Sequence, residues 1–198
     1  MEQEKKQENI WNVPNALTML RMALIPVYWA LMMADRRYAA LIVFIVASLT
    51  DLADGYIARK YHLITDFGKL MDPLADKLMV LSVMLSLVIR GIAPWPALAI
   101  ILAKEATMVV GGVILYRENV VVYSIWIGKL AQFVVVSALI ACFFSDWFFS
   151  VGVPVHLILL WTGVALTLCA LAIYTRRAIA LHREAKENAP PEEEAPGV

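Results

Sequence analysis

Polar residues interrupt this chain at regular intervals, and the stretches between them are almost wholly apolar. The pattern predicts six helices: Asn15–Met33, Tyr38–Ala58, Gly68–Ile89, Pro96–Tyr116, Val121–Phe144 and Val153–Tyr174. Each is long enough to cross a bilayer, because ~20 residues at ~1.5 Å apiece span the hydrocarbon core. Asn15, just after Pro14, reads as the cap of the first helix. The connections are short, and Trp11, Trp95 and Trp147 fall near helix ends, where indole rings favour the membrane interface. No internal repeat is visible. The expected fold is therefore all-α: a polytopic membrane helical bundle of six transmembrane helices. Residues 1–14 form an N-terminal segment, 15–175 the transmembrane domain and 176–198 a polar tail.

Composition supports this pattern and narrows it. Hydrophobic residues make up 61% of the chain and charged residues 17%, against ~45–50% and ~25% in an average soluble domain. That excludes a disordered chain. Two cysteines, Cys142 and Cys169, exclude a disulfide scaffold and read as small buried hydrophobes. The acidic start and the lack of a small-residue cleavage site argue against a cleaved signal peptide. Net charge is zero, but the cations are unevenly placed. Lys5, Lys6, Arg59, Lys60, Arg117, Arg176 and Arg177 gather at one end of the bundle, and Arg36, Arg37 and Arg90 at the other. The positive-inside rule then puts both termini in the cytoplasm. An integral protein of a bacterial inner membrane is expected, with no nucleic-acid partner.

The chemistry concentrates between Asp51 and Asp76, where the second helix ends and the third begins. Asp51 and Asp54 are three apart and Asp72 and Asp76 four apart, so each pair shares a helix face. Gly55 and Gly68 lie beside them. A carboxylate at the bilayer centre costs ~2.5–3.5 kcal/mol on insertion scales. Four of them therefore call for a wet cavity and a cation. All-oxygen ligation suits Mg²⁺ or Mn²⁺, and two acidic pairs could hold two ions ~3.5–4 Å apart. A solvated charge run, ion pairing with Arg59, Lys69 and Lys77, or binding of a transported cation are the competing readings.

The residues Asp51, Asp54, Gly55, Ala58, Arg59, Gly68, Asp72 and Asp76 fill every fixed position of D-x2-D-G-x2-A-R-x8-G-x3-D-x3-D. The chain thereby resembles the CDP-alcohol phosphotransferase family. The resemblance implies transfer of the phosphatidyl group of CDP-diacylglycerol to a hydroxyl, with release of CMP, at a site facing the cytoplasm. It implies metal ligation by Asp51, Asp54 and Asp72. Asp76 would touch the metal site and act as general base. Gly55, Ala58, Arg59 and Gly68 would bind the donor, and a homodimer is implied.

The acceptor is read from flanking residues. Pro14, Asn15, Thr18, Arg21 and Pro26, with TDFGKLMDPLADKL in the third span, look like the phosphatidylglycerophosphate synthase branch. That branch would use glycerol 3-phosphate. Arg21, Lys104, Arg117 and Lys129 are the candidates for its phosphate. Lys104 could instead pair with Glu105, and Arg21 could serve topology. The chain departs from the branch at Gly111-Gly112 and at Leu130-Ala131-Gln132, where further basic residues are usual. Phosphatidylglycerol (giving cardiolipin), serine or an inositol phosphate are alternative acceptors. A small ion-binding transporter is the alternative of another class. The histidines are assigned no chemistry.

Overall fold

The computed structural model describes residues 12–61, 65–117 and 126–187. The described residues form helices α1 (Val13–Met33), α2 (Arg37–Lys60), α3 (Asp66–Ile89), α4 (Trp95–Arg117), α5 (Trp126–Cys142), α6 (Ser145–Ser150) and α7 (Val155–Glu187), with no strand among them. The all-α expectation holds. Among the described residues, three segments are long and apolar enough to cross a membrane: Val13–Met33, Trp95–Gly112 and Val155–Leu181. Helices α2 and α3 have 24 residues each, ample for a bilayer, but carry the charged cluster. The 17 residues of α5 are apolar throughout but for Lys129, Gln132 and Ser137.

Several boundaries differ from the sequence reading, each for a local reason. The cap of α1 is Asn12, not Asn15: its side chain accepts a hydrogen bond from the Asn15 amide at 2.9 Å. Asn15 lies inside the helix, facing α3. Helix α3 starts at Asp66, not Gly68, because Thr65 caps it by accepting from the Gly68 amide at 3.0 Å. The connection SDWFFSVG winds into the extra helix α6. Helix α7 continues past Tyr174 to Glu187, since nothing in TRRAIALHREAKE breaks a helix.

Helix α1 packs against α2 and α3, while α7 packs against α4 and α5. Phe44, Met79, Val83, Met84, Leu87, Leu139 and Phe143 fill the core between these groups. Near its far end α1 is tied to α3 by a buried hydrogen bond of 2.6 Å between Tyr28 and Ser86. The α5–α7 contact is close, and Gly163 permits it: a Cβ there would meet Val135 Cγ2 at 2.9 Å and the Val135 backbone nitrogen at 3.2 Å. Gly111 and Gly112, by contrast, face open space. Cys142 is buried as expected, but Cys169 is exposed on the outer face of α7.

Candidate active site

The site is built on three helices, and α1 supplies an unexpected share of it. The buried residues of α1 recur at helical spacing: Asn15, Thr18, Arg21, Tyr28 and Met32. One face thus changes along its length, polar at the N-terminal end and apolar beyond. The polar half meets the acidic segment residue by residue. Thr65 donates to Asn15 Oδ1 at 3.1 Å. Thr18 donates its hydroxyl proton to Asp72 Oδ1. Arg21, only 1% exposed, pairs with Asp51 at 2.8 Å. A guanidinium sealed this far from water needs such a partner, since a lone buried charge costs several kcal/mol.

Gly68 is part of the same contact. A Cβ there would sit 2.8 Å from Asn15 Oδ1, 3.2 Å from Thr65 Oγ1 and 3.6 Å from Asp72 Oδ2. Any side chain would displace the Asn15 amide and the Thr65 hydroxyl from each other and crowd Asp72. The glycine is therefore needed by the packing that positions the carboxylate. Pro73 follows Asp72 inside α3 and donates no backbone hydrogen bond, leaving the ladder one bond short in this turn.

Asp51 on α2 lies within electrostatic reach of Asp72 and Asp76 on α3, so the two helices bring these carboxylates together. Their donor atoms are all oxygen, which fits a hard divalent cation. Among the described residues no three acidic or imidazole side chains close up into a metal-holding group. Arg21 and Thr18 hold two of the carboxylates instead. The side chains of Asp54, Gly55, Ala58, Arg59 and Arg117 lie outside the described residues, although α2 and α4 include their positions.

On the other side of Asp76 a narrow cleft opens toward α4 and α5. Lys77, Lys104, Glu105 and Gln132 line it, with Val80, Leu81, Ile101 and Val135 as apolar walls. Glu105 bridges both lysines, Lys77 at 2.8 Å and Lys104 at 2.6 Å. One carboxylate between two ammonium groups leaves the cleft with a surplus positive charge. Gln132 reaches from α5 toward Asp76, its amide nitrogen 3.5 Å from Oδ2. Lys129 is exposed, one turn before Gln132 on α5.

A family model for CDP-alcohol phosphatidyltransferase matches residues 11–169. The chain belongs to the CDP-alcohol phosphatidyltransferase family. It is 37% identical over 149 residues to a CDP-diacylglycerol–glycerol-3-phosphate 3-phosphatidyltransferase of Bacillus subtilis, covering 66% of this chain and 77% of that one. A probable phosphatidylglycerophosphate synthase of Mycobacterium tuberculosis is 35% identical, over 63% of this chain and 62% of its own. A second CDP-diacylglycerol–glycerol-3-phosphate 3-phosphatidyltransferase of Arabidopsis thaliana is 34% identical over 83% of this chain and 78% of its own.

In this phosphatidyltransferase, then, three of the four aspartates singled out from spacing share one region, and Lys104 lines the neighbouring cleft with Lys77, Glu105 and Gln132. Arg21 is buried against Asp51 rather than open to an acceptor. Gln132 escaped the sequence reading, because its approach to Asp76 depends on how α5 is rotated. The contacts of Asn15 and Thr18 had a visible signal: polar residues at helical spacing in an otherwise apolar span.

Proposed function

We propose that this enzyme transfers the phosphatidyl group of CDP-diacylglycerol to a hydroxyl of glycerol 3-phosphate, releasing CMP and forming phosphatidylglycerophosphate. The names of its relatives support that pair of substrates. The observation that carries the reading is the meeting of α1, α2 and α3, where Arg21 and Thr18 fix Asp51 and Asp72 beside Asp76. Six membrane spans with both termini cytoplasmic are part of the proposal. Charged α2 and α3 cross by facing α1 and each other, and the site faces the cytoplasm of a bacterial cell.

Asp51, Asp54, Asp72 and Asp76 would hold Mg²⁺ or Mn²⁺, as two ions. The metal, when bound, neutralises the diphosphate and makes its phosphorus a better electrophile. The rest falls to this chain's own groups. Arg59, with Gly55, Ala58 and Gly68, receives the nucleotide diphosphate on the α2–α3 face. Asp76 accepts the proton of the acceptor hydroxyl, whose oxygen bonds to the phosphatidyl phosphorus as the bond to CMP breaks. Gln132 orients the Asp76 carboxylate. Lys104 and Lys77 attract the acceptor phosphate to the mouth of the cleft with the positive charge that Glu105 leaves uncompensated. Lys129 and Arg117 stand near the same membrane edge to guide it in. The donor's acyl chains stay in lipid throughout, and the enzyme works as a homodimer.

The test is CMP release by purified protein with CDP-diacylglycerol and Mg²⁺, across glycerol 3-phosphate, phosphatidylglycerol, serine and inositol phosphate. Turnover is expected with glycerol 3-phosphate alone. Asp76→Asn should lower kcat by a factor of at least about 10² while the protein still binds CDP-diacylglycerol. Near-normal turnover in that variant would remove Asp76 from its role, and no CMP with any acceptor would sink the reaction.

A further inference from the structure

At the end of α1–α3 away from the acidic site, three connections meet. The α1–α2 turn brings Asp35, Arg36 and Arg37, the end of α3 brings Arg90, and α6 brings Asp146. They surround an open cavity of about 470 Å³, which is in the size range of small-molecule sites. Arg37 lies about 21 Å along α2 from Asp51 at ~1.5 Å per residue, so this cavity is separate from the catalytic cluster.

Its electrostatics are those of an anion receptor. Three guanidinium groups face two carboxylates. Arg90 donates to Asp35 at 2.7 Å and to the Met32 carbonyl. Arg37 donates to Asp146 at 2.5 Å through one nitrogen only and lies over the Tyr38 ring at 5.4 Å. Arg36 has no ion pair among the described residues. Asp35 and Asp146 are 84% and 76% exposed, so water screens both pairs and each holds its arginine weakly. An incoming phosphate can take the remaining guanidinium donors in forked geometry.

The surroundings identify where that phosphate comes from. Met33, Tyr38, Ile89 and Trp147 are exposed beside the cavity, and α1 is apolar and span-length right up to it. Such a rim belongs at the headgroup level of a bilayer. We infer that the cavity lined by Arg36, Arg37 and Arg90 binds the phosphate of an anionic phospholipid headgroup. The site is distinct from the one that performs transfer. It relies on the helices crossing a membrane and not on the identity of the acceptor.

The test uses the full chain in phosphatidylcholine micelles doped with phosphatidic acid, reading retained lipid by native mass spectrometry. Wild type should retain phosphatidic acid in preference to phosphatidylcholine. Arg36→Gln with Arg37→Gln should weaken that retention about thirtyfold, as two lost surface cations imply. Arg176→Gln with Arg177→Gln, exposed cations at the opposite end, should change it by less than about twofold. CMP release should be unchanged in the Arg36/Arg37 variant, which separates this site from the reaction and reports a folded protein. Should the double variant fold poorly, Arg36→Gln alone disturbs no ion pair and should still lose affinity. Equal losses in the two double variants, no preference over phosphatidylcholine, or displacement of the lipid by inorganic phosphate at comparable concentration would each overturn the inference.

Discussion

At one end of the α1–α3 unit an arginine is sealed against Asp51; at the other, two arginines hold aspartates that stand largely in water. The residue types are the same and the N···O distances similar, 2.8 Å for Arg21–Asp51 and 2.7 Å for Arg90–Asp35. Their surroundings differ. Arg21 is 1% exposed, whereas Arg90 and Arg37 are 30% and 18% exposed and their partners far more. A buried pair cannot exchange its partner for water, so losing one member strands the other. An exposed pair exchanges readily and contributes little. The sealed pair therefore fixes geometry where chemistry needs carboxylates held in register. The open pairs leave their arginines available to a ligand.

Removing Arg21 tests the strongest side of that contrast. Arg21→Met takes the resident cation from Asp51 while Asp72 and Asp76 remain within electrostatic reach. In chelator it should lower stability by about 3 kcal/mol, the low end for breaking a buried pair because Asp51 keeps some contact with water. Thermal unfolding in detergent reads this directly. Excess Mg²⁺ should recover part of the loss if the carboxylates hold a cation. A variant as stable as wild type in chelator would mean that Arg21 does not hold the cluster together.

How much of this was legible in the chain depends on whether a feature is local. The four aspartates stood out because three- and four-residue spacings put them on helix faces whatever the tertiary fold. The apolar runs marked the long helices for the same reason. The short helix α6 was hidden, since six residues rich in aromatics carry no usable periodicity. Asn15 resembled a cap because it follows a proline, yet Asn12 takes that role and frees Asn15 to meet Thr65. Gln132 beside Asp76, and Glu105 shared between Lys77 and Lys104, depend on how α4 and α5 are turned toward α3. No pattern within one helix encodes that rotation. Gly163 and Gly111 are both glycines within apolar helices, and only the packing tells them apart.

That difference gives the next test. Gly163→Ala places a methyl 2.9 Å from Val135 Cγ2 and 3.2 Å from its backbone nitrogen, so α5 and α7 must separate. The expected cost is about 2 kcal/mol, within the usual range for overpacking. Gly111→Ala meets nothing within 4 Å. It should gain up to about 1 kcal/mol from helix propensity. The two variants should move the thermal midpoint in opposite directions. A shared direction would show that the α5–α7 approach is looser than described, or that the open side of Gly111 is occupied in the membrane.

The smallest effect is expected at the open end, from Asp146→Asn. The Arg37 guanidinium holds the Asp146 carboxyl below the usual carboxylate range. A pKa lowered in the folded state contributes stability that is present above the unfolded value, near ~3.9, and lost as pH falls through the folded one. Any difference between wild type and Asp146→Asn should therefore be full at neutral pH and fade progressively as the pH drops below about 4. It should also fade with added salt, because the carboxylate lies in open water. The same substitution frees Arg37 from its competitor, so phosphatidic acid retention should rise as the protein pair is lost. Weaker retention would mean that Asp146 organises the arginines instead of competing with the ligand for them.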